Sequence, residues 1–84
     1  MTARFRLTAA DGTTYPRAAV RAQGGLAGPD DLRRAQVRLA RGRTRLGLFQ
    51  PAPGCISVLP GYCAAEDGPE VVVPLAGLTW EAVP

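Results

Sequence analysis

Arg38, Arg41, Arg43 and Arg45 fall within eight positions of the stretch "QVRLARGRTRLGLF", residues 36–49. A guanidinium group is always charged and presents a planar fork of donors, so it grips phosphate or carboxylate oxygens in pairs. Phe49 closes the same stretch, and an aromatic ring beside phosphate-binding arginines offers a face on which a base can stack. The run also carries Val37, Leu39, Leu46 and Leu48. It is therefore a structural element too, and which element it is decides which arginines stand together.

Two arrangements fit. In a helical one, Asp30 caps "DLRRAQVRLAR", which ends at Gly42. Leu32, Ala35, Gln36 and Leu39 then share a face, Arg34, Arg38 and Arg41 lie opposite, and Val37 is out of place. In a strand arrangement only "PDDLRR" makes a helical turn, and Gly42-Arg43 forms the two-residue loop of a hairpin. A type II′ turn wants glycine in that first central position. Leu39 then opposes Leu46 and Val37 opposes Leu48. Arg38, Arg45, Gln36 and Phe49 project from the other face, with Arg43 at the tip. The hairpin is the preferred reading because it gathers the large aliphatic residues from 37 to 48 on one side. It also echoes the chain's start, where "FRLTAADGTT" shares with "VRLARGRT" an x-Arg-Leu strand, a glycine turn and a following threonine.

That first segment, "RFRLTAADGTTYP", reads as a hairpin around Asp11-Gly12, a favoured pair for a type I′ turn. The register sets Phe5, Leu7 and Ala9 on one face with Thr14, Pro16 and Ala18. Arg6 would face Arg17 across the pair, which costs stability unless an anion or carboxylate lies near. Both therefore join the candidate anion contacts. Pro16 points to an edge strand. Beyond the turn-rich "AQGGLAGPDD", the rest reads as short strands. "CISVL" runs to Pro60-Gly61, and "EVVVPLAGLTWEAV" makes two β-rich pieces, 70–73 and 78–83, joined by "PLAG" as a tight helical turn. Trp80 alternates with Leu78 and Ala82, toward the core.

Two of these segments carry a family likeness. "VRLARGRTRLGLF" is similar to the opening hairpin of Sm-like proteins, and "EVVVPLAGLTWEAV" looks like the closing strand, one-turn helix and last strand of such barrels. Residues 35–84 thus resemble the small Sm-like and Src-homology-3-like β-barrels. The resemblance implies a fold and no particular activity, since such barrels host many unrelated jobs.

Composition narrows the function. The 84 residues fit one small domain, 1–84, with a thin core. Ten glycines and eight prolines, spread along the chain, fit many short elements separated by turns. All ten basic residues are arginine, as a GC-rich coding background would favour. They lie in residues 1–45 with only Asp11, Asp30 and Asp31, a balance of +7, whereas residues 46–84 hold Glu66, Asp67, Glu70 and Glu81 and no base, −4. Such asymmetry points to an anionic partner or to a dipolar molecule that pairs with itself. With no histidine in the chain, a Ser or Cys nucleophile lacks its usual base. Cys55 and Cys63 flank the Pro60-Gly61 turn at positions that do not oppose one another, so they are expected as buried, reduced thiols rather than a disulfide. The pairs Asp30-Asp31 and Glu66-Asp67 sit at turns, as caps or solvated loops. No apolar run approaches the roughly 18 residues a membrane span requires, and "MTARFRLTAADG" has no signal-peptide core, so a cytoplasmic protein is expected.

The expected fold is mainly β: a small, partly open barrel of about five strands (about 35–84), preceded by a β-hairpin (about 3–20), with one or two short helical turns. The alternative is α+β with a helix at 30–41. The expected function is a non-enzymatic binding module that assembles with itself or with a protein partner. The alternative is RNA or single-stranded DNA binding through Arg38, Arg43, Arg45, Phe49, Gln36, Arg6 and Arg17. No cofactor, metal, membrane or small-molecule substrate is expected.

Overall fold

The computed structural model describes residues 3–60 and 69–84. The chain runs β1 (Arg4–Thr8), β2 (Thr14–Ala22), β3 (Gly25–Leu26), α1 (Pro29–Ala40), β4 (Cys55–Leu59), β5 (Val71–Pro74) and β6 (Thr79–Val83). The strands make one antiparallel sheet in the order β5-β4-β2-β1-β6, with β3 added to β2, and the sheet does not close. The fold is mainly β and open, as the sequence implies. The hairpin at its start lies in the middle of that sheet, since β2 pairs with both β1 and β4.

The first turn differs from expectation by one residue. The Gly12 N–H donates to the Ala9 carbonyl at 2.9 Å, the Ala9 N–H donates to Thr13 at 2.8 Å, and Gly12 has φ +90° while Asp11 has no positive φ. This is a three-residue loop with a left-handed glycine at its end, not a two-residue type I′ turn. The Asp11 carboxylate accepts from the Thr13 N–H at 2.9 Å and so favours the longer loop. Leu7 therefore pairs with Tyr15, and a bulge sets Pro16 and Arg17 against Arg6 before Phe5 pairs with Ala18. Pro16, which has no N–H, sits in that bulge, and β4 covers β2 only at Ala19 and Val20.

Residues 29–40 form a helix, so the hairpin expected around Gly42-Arg43 is overturned in favour of the α-helical alternative. Both ends explain the outcome. Pro29 takes the first helical position, where its missing N–H has no intrahelical use. The Asp31 carboxylate reaches back to accept the Gly28 N–H at 2.8 Å. At the other end the Gly42 N–H donates to Leu39 at 3.0 Å and the Arg43 N–H to Arg38 at 2.9 Å, with Gly42 at φ +74°. That is a Schellman stop. Leu32 and Ala35 are buried, and Val37, the misfit of the helical pattern, is 46% exposed. Leu46 and Leu48 are buried, as the hairpin required, but they reach the core from an irregular loop. Leu48 bridges to Ala22 of β2.

One core joins the helix to the sheet through Phe5, Leu7, Val20, Leu32, Ile56 and Val58. Trp80 packs against it edge-on to Phe5, ring centroids 5.6 Å apart, on the core side as its alternation implied. "PLAG" is a β-turn rather than a helical turn. The Leu78 N–H donates to Leu75 at 3.1 Å, and Gly77 has φ +77°. A Cβ on Gly77 would stand 2.8 Å from that of Ala10, so the turn also needs glycine for its close approach to the first hairpin. Cys55 is a half-buried free thiol. Gly61 of the expected Pro60-Gly61 turn, together with Cys63, Glu66 and Asp67, lies outside the described residues.

Candidate functional site

Arg38 stands in the last turn of α1 and Arg41 at its C-cap, three residues further on and so on the same side. The Schellman reversal at Gly42 turns the chain back, and Arg43 and Arg45 come alongside them. The four guanidinium-bearing residues and Thr44 line a single open pocket of about 590 Å³. All four arginines are exposed, and none makes an ion pair among the described residues. Elsewhere the basic residues are spoken for. Arg33 pairs with Asp30 at 2.9 Å, Arg34 with Asp31 at 3.0 Å, Arg21 with Glu70 at 3.0 Å, and Arg6 with Glu81.

The plain role for cations at a helix C-terminus is to offset the negative end of the helix dipole. That end is worth about half an elementary charge, so one arginine satisfies it and four exceed it. The acids that open α1 cannot neutralise the cluster. Asp31 precedes Arg41 by ten residues, or about 15 Å of helix, roughly twice the screening length at physiological salt.

One further hollow adjoins the cluster, and another lies beyond it. Arg38 and Arg45 also line a trough of about 400 Å³ with Gln23, Gly47 and Gln50. Gly47, at φ +80°, matters here: a Cβ on it would stand 2.9 Å from Nη1 of Arg38. The Arg38 side chain therefore lies over bare backbone at the junction of the two hollows. Gln50 pins the loop, donating from Nε2 to the Thr44 carbonyl and accepting the Gly54 N–H at Oε1, both at 2.9 Å. Gln23 continues into a third hollow of about 580 Å³, which it lines with Gly24, Gly25 and Phe49 beside the Arg21–Glu70 pair.

Of the residues singled out in the sequence, Arg38, Arg43 and Arg45 come together, and Phe49 stands at the third hollow. The others do not join them. Gln36 faces the sheet, donating from Nε2 to the Leu78 carbonyl and accepting Nε1–H of Trp80 at Oε1, both at 2.9 Å. Arg6 and Arg17 do not face each other as a bare pair. Arg6 is neutralised by Glu81 of β6, and Arg17 donates to the Pro84 carbonyl. Arg41 was missed. Its three-residue spacing from Arg38 is the signal, and it counts only if the segment is helical. Gln23 and Gln50 reach the site by tertiary contact alone.

Among the described residues there is no group of three or more Cys, Asp or Glu placed to hold a metal ion, and no helix long and apolar enough to cross a membrane. Ser57 is fully buried and its hydroxyl has no partner among the described residues, so it presents no accessible nucleophile. Compared with protein-family models, with curated proteins and with solved structures, the chain matches none of them.

Proposed function

We propose that this chain is a non-enzymatic nucleic-acid-binding module of the cytoplasm, which holds a phosphate backbone at Arg38, Arg41, Arg43 and Arg45. One observation carries the reading. Four guanidinium groups without a carboxylate among the described residues converge on one pocket, while Arg6, Arg21, Arg33 and Arg34 each meet an acid. Like charges gathered in this way repel, and a polyanion relieves that repulsion while releasing its own counterions. The test is fluorescence anisotropy of labelled mixed-sequence RNA and DNA across a salt series. With four phosphates neutralised, log K should fall against log salt with a slope of about −2.8 for a single strand. Between 50 and 200 mM salt that is a loss of roughly 50-fold. The triple variant Arg38→Glu, Arg43→Glu, Arg45→Glu should abolish binding; unchanged binding would remove this face from consideration.

Self-association is the second reading, and it has its own observation. β5 is an edge of the open sheet, and its Val72 is 50% exposed. Charge complementarity between the two halves of the chain supports it less, because Glu70 and Glu81 already pair with Arg21 and Arg6 inside the molecule. A mass that stays monomeric in sedimentation at high concentration would dismiss it. The likeness to Sm-like and Src-homology-3-like barrels remains a proposal about fold and adds nothing to either reading.

A further inference from the structure

We propose that the bound nucleic acid is a single strand that runs from the arginine pocket through the Arg38–Gln23 trough and stacks one base on Phe49. This rests on the phosphate-binding role of the arginine cluster and extends it to the kind of strand held.

The three hollows form one track. The first and second share Arg38 and Arg45, and the second and third share Gln23. Charge falls along it in the order a strand needs, from unpaired arginines, through a polar middle, to an aromatic surface. Phe49 is 41% exposed, whereas Phe5 is fully buried and Trp80 and Tyr15 pack against the core. Its exposure is built in. The Phe49 N–H donates to the Arg21 carbonyl at 3.3 Å, and its neighbour Leu48 is buried and bridged to Ala22. The ring is thus carried by a loop anchored to β2. The wall beside it is Gly24 and Gly25, where even an added Cβ would meet nothing within 4 Å. That leaves clearance for a flat ring to lie on the phenyl face. Gln23 is exposed, and its amide has no partner among the described residues, so it is free to meet a base edge. Gln50, by contrast, has both ends of its amide occupied. Bases in a duplex are paired and stacked internally and cannot reach Phe49, whereas an unpaired strand offers them at a far smaller unstacking cost.

The experiment compares three labelled ligands of equal length: a mixed-sequence single strand, the same backbone carrying abasic spacers, and the duplex. It is run with RNA and DNA, and the tighter of the two names the strand. The protein should bind the base-bearing single strand between about 5- and 150-fold more tightly than the abasic one, the range a stacked base supplies. Phe49→Ala and Phe49→Leu should each erase that preference while leaving the abasic affinity and its salt slope unchanged. Circular dichroism confirms that both variants fold. Equal affinity for base-bearing and abasic strands, or tighter binding of the duplex, overturns the inference while the arginine site stands. Undiminished binding by the Arg38→Glu, Arg43→Glu, Arg45→Glu variant overturns the site itself.

Discussion

Gln36 makes two hydrogen bonds that fasten α1 to the turn before β6 and to β6 itself, and replacing it should cost the fold rather than the binding. Gln36→Ala removes the acceptor of the Trp80 indole N–H and the donor to the Leu78 carbonyl, each at 2.9 Å. A neutral hydrogen bond contributes about 0.5–1.5 kcal/mol net, so the pair is worth roughly 1–3 kcal/mol. Both bonds are only partly buried, and water regains some of the loss, which points to about 1–2 kcal/mol. A chain of this length has a total stability of roughly 4–13 kcal/mol, so the fraction is large. The melting temperature should fall by about 5–15 °C. The assay is urea and thermal unfolding followed by far-UV circular dichroism, on Gln36→Ala, Trp80→Phe and the double variant. The cycle cancels the ring volume that Trp80→Phe also removes, and a coupling of about 1 kcal/mol is expected for groups in contact. Nucleic-acid affinity of the folded Gln36→Ala protein should match that of the parent. Stability within about 0.3 kcal/mol of the parent, or a coupling near zero, would refute this account of how the helix is held.

Two further variants probe the ends of α1. Gly42→Ala meets no atom within 4 Å, so its cost is the left-handed backbone at φ +74° alone. Unfolding should show a loss of about 1 kcal/mol, while Gly25→Ala, equally open and without a positive φ, should be neutral or slightly stabilising. The Gly28 N–H, followed by Arg34, holds the Asp31 carboxyl below the usual carboxylate range. A carboxyl whose folded value is depressed contributes stability above its unfolded value, near 3.9, and loses it as pH falls through the folded value. The urea midpoint should therefore drop as pH is lowered below about 4, and Asp31→Asn should flatten that limb.

What could be read from the sequence was local. The first hairpin, β4, β5, β6 and the core side of Trp80 follow from alternation and turn residues, and the structure keeps them. The second segment misled because its decisive signals were shared. Gly42 needs a positive φ both as the first central residue of a type II′ turn and as the residue ending a helix, so it could not choose between them. Leu46 and Leu48 bury their side chains whether they continue a hairpin or hang from a loop. Gly28-Pro29-Asp30-Asp31 start a helix under both readings, and nothing local said whether it would end after one turn or run on to Ala40, as it does. The roles of Arg6, Arg17 and Gln36 were illegible for another reason. Their partners Glu81, Pro84, Leu78 and Trp80 lie at the far end of the chain, and local spacing carries no information about them.

The switch from hairpin to helix also changes what the arginines mean. In a hairpin, Arg38 and Arg45 would share a sheet face with Gln36 and Phe49, Arg41 would point away, and the charge would be spread over both faces. A solvated outer surface would explain such a distribution, and a GC-rich coding background would explain the residue type. In the helix the same composition is sorted. Arg33 and Arg34 find Asp30 and Asp31 within one turn, Arg21 and Arg6 find Glu70 and Glu81, Arg17 donates to the Pro84 carbonyl, and four arginines stand together where the chain reverses. Composition accounts for ten arginines but not for this sorting. Nor does the helix end require it, since about half a charge is all the dipole asks for. Gly42 stops the helix and folds Arg43 and Arg45 back on Arg38 and Arg41, so the residue that ends the element also assembles the site. Loosening that stop with Gly42→Ala should therefore weaken nucleic-acid binding along with stability, whereas a merely wet surface would lose stability alone.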